Sequence, residues 1–227
     1  MNKSVSLSFM LLGILFSVCL IVSNLLVIKP ITVFGFSATA GLLIFPVSYI
    51  INDVVAEVWG YRKTRLMIWS AFAMQFMAIV FMQLSVIVAS APFWEGQEAY
   101  AQVFSQTPRV ACASLIAFLF GSLTNAYVMS RMKVRSHGKG FGIRAMVSTL
   151  FGETADSLLF FCIAFAGIFA WKEIFVMIVV ETFLKSAYEV AILPVTTVVV
   201  RYIKRRELTD VYDEGISYNV LKIGDIK

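Results

Sequence analysis

The chain has 227 residues, of which 59% are hydrophobic, 14% aromatic and only 15% charged. So little charge cannot coat a water-soluble domain, whereas a membrane-spanning helix needs about 20 apolar residues and this length holds about six such spans. The formal charge of +5 is divided among short connections rather than gathered in one stripe. That argues against a nucleic-acid partner and for charge-directed membrane orientation.

Apolar runs place spans at Leu7–Ile28, Ala38–Gly60, Leu66–Ala89, Val110–Ser130, Ala145–Ala170 and Ile174–Ile203. The expected fold is therefore all-α, a polytopic six-helix membrane domain over residues 1–206 with a C-terminal tail over 207–227. The first run is too long for a signal-peptide core and no small-residue cleavage site follows it, so it is expected to stay as an anchor. The connection from Pro92 to Pro108 carries Trp94, Tyr100 and Phe104 among polar residues, a composition suited to a surface helix at headgroup depth. The tail from Glu207 is polar and mixed in charge, and is expected to be partly disordered. Cys19, Cys112 and Cys162 lie inside apolar runs and read as small hydrophobes, with no disulfide, metal or cofactor expected.

Basic residues alternate between connections. Lys3, then Arg62, Lys63 and Arg65, then the group from Arg131 to Arg144, then Arg201 to Arg206 fall on one side, against Lys29, Arg109 and Lys172 on the other. The positive-inside rule puts both termini in the cytoplasm, in a multi-pass protein of the cytoplasmic (inner) membrane. Ser23-Asn24 recurs as Thr124-Asn125, and Asp53 precedes Glu153 by one hundred residues. Two halves of three spans each would be inverted repeats, an arrangement that places a site at the midplane.

An ionisable side chain inside a span needs a partner, a water-filled cavity or a function. Counted from the basic ends, Asp53, Glu153 and Asp156 lie roughly 13 to 18 Å deep, with Lys185 at similar depth. Tyr49, Asp53 and Glu57 share one face of the second span, and Glu181, Lys185 and Glu189 share one face of the sixth. Pro46 and Pro194 lie in those two runs, where a proline frees a backbone carbonyl and is expected to kink or interrupt the helix. An ion-pair network accounts for Glu181 and Lys185. It leaves Asp53, Glu153 and Asp156 in excess of one deep cation, which favours a polar cavity. Glu57 lies nearer the interface and reads as a snorkelling acid or a gate, and Asn24 as an interhelical hydrogen-bonding group or a ligand contact. Enzyme templates fail: the single histidine, His137, lies in a connection, and Gly138-Lys139-Gly140 lacks the spacing of a phosphate loop.

Ordered motifs extend this reading. Ser23-Asn24, then Phe45-Pro46 through Tyr49, Asp53, Glu57, Gly60, Tyr61 and Arg65, then Gln97, Tyr100 and Pro108-Arg109 come in turn. Ser148 to Gly152 leading to Asp156-Ser157 follows, and Lys185, Tyr188, Glu189 and Pro194 close the set. Together they resemble the queuosine precursor transporter family over nearly the whole membrane part. The resemblance implies uptake of 7-deazaguanine bases, such as 7-cyano-7-deazaguanine, 7-aminomethyl-7-deazaguanine or queuine, for salvage into modified tRNA. The expected partners are that small molecule and the lipid bilayer, with homodimerisation left open.

Such a base presents a ring N–H and an exocyclic amine on one edge, and a carboxylate accepts both, which makes Asp53 or Asp156 a candidate. Tyr49, Phe160 or Tyr188 would stack on the ring. The candidate substrate-binding set is Asn24, Tyr49, Asp53, Glu153, Asp156, Glu181, Lys185 and Tyr188, with Pro46, Glu57, Glu189 and Pro194 in structural or gating roles. Transport by facilitation or by proton coupling through Glu153 or Asp156 both fit. So does a substrate-binding subunit of an ATPase-energised uptake system.

Overall fold

The computed structural model describes residues 6–33, 36–105 and 108–222. Helix α1 (Leu7–Leu26) starts where the Ser6 hydroxyl accepts a hydrogen bond from the Phe9 amide. Strands β1 (Pro30–Val33) and β2 (Phe36–Thr39) pair antiparallel and lead through a 3₁₀ turn (Ala40–Leu43) into α2 (Phe45–Ile87). Helices α3 (Gln97–Phe104), α4 (Pro108–Arg135), α5 (Phe141–Phe165) and α6 (Trp171–Glu207) follow. The architecture is helical, but the short hairpin was absent from an all-α expectation. Pairing its backbone groups satisfies a connection too short for a helix.

Among the described residues, four helical stretches are long and apolar enough to cross a membrane: Leu7–Leu26, Ala40–Ile87, Gln97–Arg135 and Phe141–Phe165. Two expected spans are therefore one continuous element, α2, broken inside at Gly60 with φ +78° and ψ 173°. A straight helix would separate Phe45 from Gln75 by about 45 Å, yet both line one small cavity. The two arms, residues 45–59 and 61–87, fold back on each other at Gly60. Only glycine adopts that φ without strain, and a Cβ there would lie 2.7 Å from Asp213 Oδ1. Helix α6 has the length to span, at 37 residues, but Glu181, Lys185 and Glu189 interrupt its apolar middle.

Neither proline breaks its helix. Pro46 occupies the first turn of α2, where its missing N–H costs nothing, so the expected kink there is replaced by a helix start, while the break at Gly60 falls where the second expected span ended. Helix α6 runs unbroken through Pro194.

The core packs Phe16 and Leu20 of α1 against Val54, Val58, Ile68 and Ala71 of both α2 arms and Phe118 of α4. Helices α4 and α5 cross at Gly121 and Gly152. A Cβ on Gly152 would stand 2.8 Å from Asn125 Cβ and 2.9 Å from Tyr49 Cε1, so two hydrogens set how closely these helices approach. Helix α3 buries nothing and lies beside the end of α2, with Gln83 donating to the Phe104 carbonyl at 3.0 Å and Gln97 to the Val86 carbonyl at 3.0 Å.

The segment 208–222, expected to be partly disordered, is instead a packed strap. Asp213 is buried and accepts from the Tyr61 amide at 2.8 Å and the Ser130 hydroxyl at 2.5 Å. Arg65 donates to the carbonyls of Asn219 (2.5 Å) and Lys222, and Trp69 to that of Val220 at 2.9 Å. Helix breakage at Gly60 leaves amides without helical partners, and the strap supplies acceptors for them. No periodic pattern in the tail announced this, because many of its contacts are made by backbone carbonyls and the rest by isolated side chains such as Asp210 and Asp213.

Candidate functional site

Helical spacing of four residues stacks polar groups in layers through the middle of the bundle, each about 6 Å from the next. The outermost layer surrounds a cavity of about 270 Å³ bounded by α1, α2, α4, α5 and α6. Its polar lining includes Asn24, Gln75, Asp156, Ser157, Glu181 and Lys185, and its aromatic walls are Phe45, Phe160, Phe161 and Phe165. Asn24 accepts from Ser114 at 2.9 Å. The cavity reaches toward Val27 and Thr39 at the hairpin end of the bundle.

Lys185 is the hub of this layer. Its ammonium lies 3.1 Å from Asp156, 3.2 Å from Glu153 and 3.8 Å from Glu181, and 4.2 Å from the centre of the Phe45 ring. Three carboxylates face one cation in a buried setting, so the group has acceptor capacity left for a ligand's N–H donors. Asp156 and Glu181 reach the cavity; Glu153 is buried just behind them.

One layer deeper, Tyr49 wedges against the Gly121–Gly152 crossing with its hydroxyl buried and unpartnered. Beyond it Asp53 accepts from Asn125 at 2.9 Å and from Ser148 at 3.4 Å. Its carboxyl also meets that of Glu189 from α6 at hydrogen-bonding distance. At the basic end, Glu57 takes Arg144 of α5 at 2.7 Å and Lys204 of α6 at 2.7 Å. Lys204 continues to Asp210 at 2.9 Å. Asp210 also receives Lys133 of α4 at 2.5 Å, and Lys133 donates to the Glu57 carbonyl at 2.5 Å. This network closes the basic end across α2, α4, α5, α6 and the strap.

The predicted residues therefore divide. Asn24, Asp156, Glu181 and Lys185 line the cavity, with Glu153 behind. Tyr49, Asp53 and Glu189 lie deeper, outside the lining, and Tyr188 is half-buried and also outside it. Glu57 is 1% exposed with two cations on it, so the snorkelling reading is replaced by a buried clamp. The sequence reading missed Phe45, Gln75, Ser157, Arg144, Lys204 and the strap acids. Gln75, an amide in the middle of an apolar run, was the one signal available for finding them.

A bundle of membrane-length helices around a polar, aromatic-walled cavity that is sealed at one end defines a multi-pass membrane transporter. The arrangement is one for passing a small molecule rather than transforming it. The chain belongs to the family described as "Putative vitamin uptake transporter", whose profile matches residues 39–199. It is 29% identical over 158 residues to the "Probable queuosine precursor transporter" of Bacillus subtilis (strain 168), covering 68% of this chain and 69% of that one. It is 30% identical over 146 residues to the "Queuosine precursor transporter" of Escherichia coli (strain K12), covering 63% and 62%. A third relative, from Haemophilus influenzae, is 28% identical over 132 residues, 58% of this chain and 54% of that one. These relatives are transporters and not enzymes, and their names do not favour the ATPase-subunit alternative. No solved structure matches the chain.

Proposed function

We propose that this protein imports queuosine precursors, 7-deazaguanine bases, across the cytoplasmic membrane. Six spans, counting the two arms of α2 separately and including α6, would put both termini and the basic end in the cytoplasm. The cavity then faces outward in this conformation, and the Glu57 clamp closes the inner exit. Alternating access would rock one three-span half against the other and exchange the two closures.

The observation that carries this reading is the cavity itself. At about 270 Å³ it lies near the lower bound of the roughly 300–1,000 Å³ range of small-molecule sites, which suits a single heterobicyclic base better than a nucleotide. Phe45, Phe160 and Phe161 offer stacking faces. Asp156 is the acceptor for the ring N–H and exocyclic amine, with the Lys185 ammonium 3.1 Å from it and Glu181 beside it for an aminomethyl substituent.

The test is uptake of radiolabelled 7-cyano-7-deazaguanine into proteoliposomes containing only this chain. Saturable uptake, competed by related 7-deazaguanines and not by guanosine monophosphate, is expected. Asp156→Asn should weaken it about 10-fold or more, the worth of a charge-assisted hydrogen bond. Failure of the wild-type protein to bind or move any 7-deazaguanine would overturn the substrate assignment.

A further inference from the structure

Between the cavity and the clamp lies a group of side chains that the substrate site does not use. Asp53 on α2 is 0% exposed and Glu189 on α6 is 3% exposed. Their carboxyl groups are in direct contact, and no salt bridge reaches either one among the described residues. Asn125 on α4 and Ser148 on α5 donate to a single oxygen of Asp53. Asp53 Oδ2 has no donor. Thr149 on α5, also buried, turns its hydroxyl toward Glu189.

The neighbouring charges are all committed elsewhere. Lys185, one turn outward on α6, is held by Glu153, Asp156 and Glu181. Arg144 and Lys204 are held by Glu57, one turn inward on α2. The neutral phenol of Tyr49 lies one turn outward on α2.

Two carboxylates in contact, dry and without a cation, cannot both be ionised; one proton between them supplies the missing donor and turns repulsion into a hydrogen bond. We propose that Asp53 and Glu189 form a proton-binding site distinct from the substrate cavity, and that the proton it takes up and releases is the ion coupled to transport. This inference rests on the transporter reading above and assigns its driving ion.

The position explains how the proton would act. The pair bridges α2 and α6, the helices that also carry Glu57 and Lys204 of the inner clamp. Protonated, the pair is neutral, and the substrate-loaded carrier can exchange its outer opening for the inner one. Loss of the proton sets two negative charges against each other in a dry site and opposes that exchange while substrate is bound. Uptake of H⁺ on one carboxylate from the outer side and its release to the inner side complete a cycle with no other bond changed.

The test compares wild-type and Glu189→Gln protein in proteoliposomes, using 7-cyano-7-deazaguanine as the probe. An inward proton gradient should drive wild-type accumulation several-fold above equilibrium, with alkalinisation of the outer medium on substrate addition. A sodium gradient should not. Glu189→Gln should lose accumulation and alkalinisation while keeping substrate counterflow at symmetric pH, which also shows that it is folded. Gradient-driven accumulation by Glu189→Gln, or drive by sodium alone, would overturn the proposal. So would gradient-independent wild-type transport, and that result leaves the transporter reading standing.

An infrared measurement on the wild-type protein decides the matter even if no base is transported. The C=O stretching band of a protonated carboxylic acid should be present at neutral pH and lost in Asp53→Asn/Glu189→Gln protein. Its absence from the wild type would end the proposal.

Discussion

Replacing Lys185 with glutamine removes the one cation within 4 Å of three carboxylates. At an effective dielectric constant near 20, each contact at these distances is worth about 4–5 kcal/mol, part of it offset by the cost of burying the ammonium. Once the ammonium is gone, the least costly response is for one carboxylate to take up a proton. That costs about 1.4 kcal/mol for each pH unit above a reference value near 4, or about 5 kcal/mol at pH 7.5 and about 2 kcal/mol at pH 5.5. Unfolding of detergent-solubilised protein should therefore show Lys185→Gln less stable by about 5 kcal/mol at pH 7.5, with more than half the loss recovered at pH 5.5. Adding Glu153→Gln should recover a similar amount at pH 7.5, because removing one acid with the cation restores the cluster's net charge and leaves only Asp156 and Glu181. A Lys185→Gln protein as stable as the wild type would refute the hub. So would a loss that neither acid nor Glu153→Gln repairs.

Two further outcomes test the scaffold. Gly152→Ala should destabilise the protein by about 1–3 kcal/mol, because its Cβ would press on Asn125, Tyr49 and the Gly121 carbonyl. Gly13→Ala, whose nearest foreign atom would be Met67 Cγ at 3.9 Å, should be neutral or slightly stabilising, and equal effects at the two sites would contradict the close crossing. In the strap, partial burial of Asp210 raises its carboxyl, but hydrogen bonds and charge from Lys133 and Lys204 outweigh this and hold it below the usual carboxylate value. A lowered folded value contributes stability above the unfolded value near 3.9 and loses it as pH falls through the folded one. A nitroxide label at the exposed position 214 should therefore stay immobile from pH 7 to about 5 and loosen only below about 4. In Asp210→Asn it should be looser already at neutral pH, and a label equally immobile in both proteins at all pH values would show that the clamp does not hold the strap.

The legible part of this protein was what depends on short-range pattern. Apolar runs located the helices because each must bury its own backbone hydrogen bonds in lipid, and the four-residue spacing of Tyr49, Asp53 and Glu57, and of Glu181, Lys185 and Glu189, put those groups on single faces. Burial of the deep acids followed from the same arithmetic. Partner choice did not follow. Asp53 and Asp156 looked alike in sequence as acids at equal depth, but only Asp156 has Lys185 within reach and a cavity before it. Asp53 meets Glu189 because two helices distant in the chain turn those faces toward each other. The end of the second run at Gly60 was legible, but its form, one helix broken at a single glycine rather than two joined by a loop, was decided in three dimensions, where Asp213 and the strap receive the opened backbone. Sequence by itself determined which residues must leave the lipid, because that cost belongs to each side chain alone. Only the tertiary structure decided which of them share a cation, a proton or a cavity, because those energies depend on distances between helices that no local pattern records.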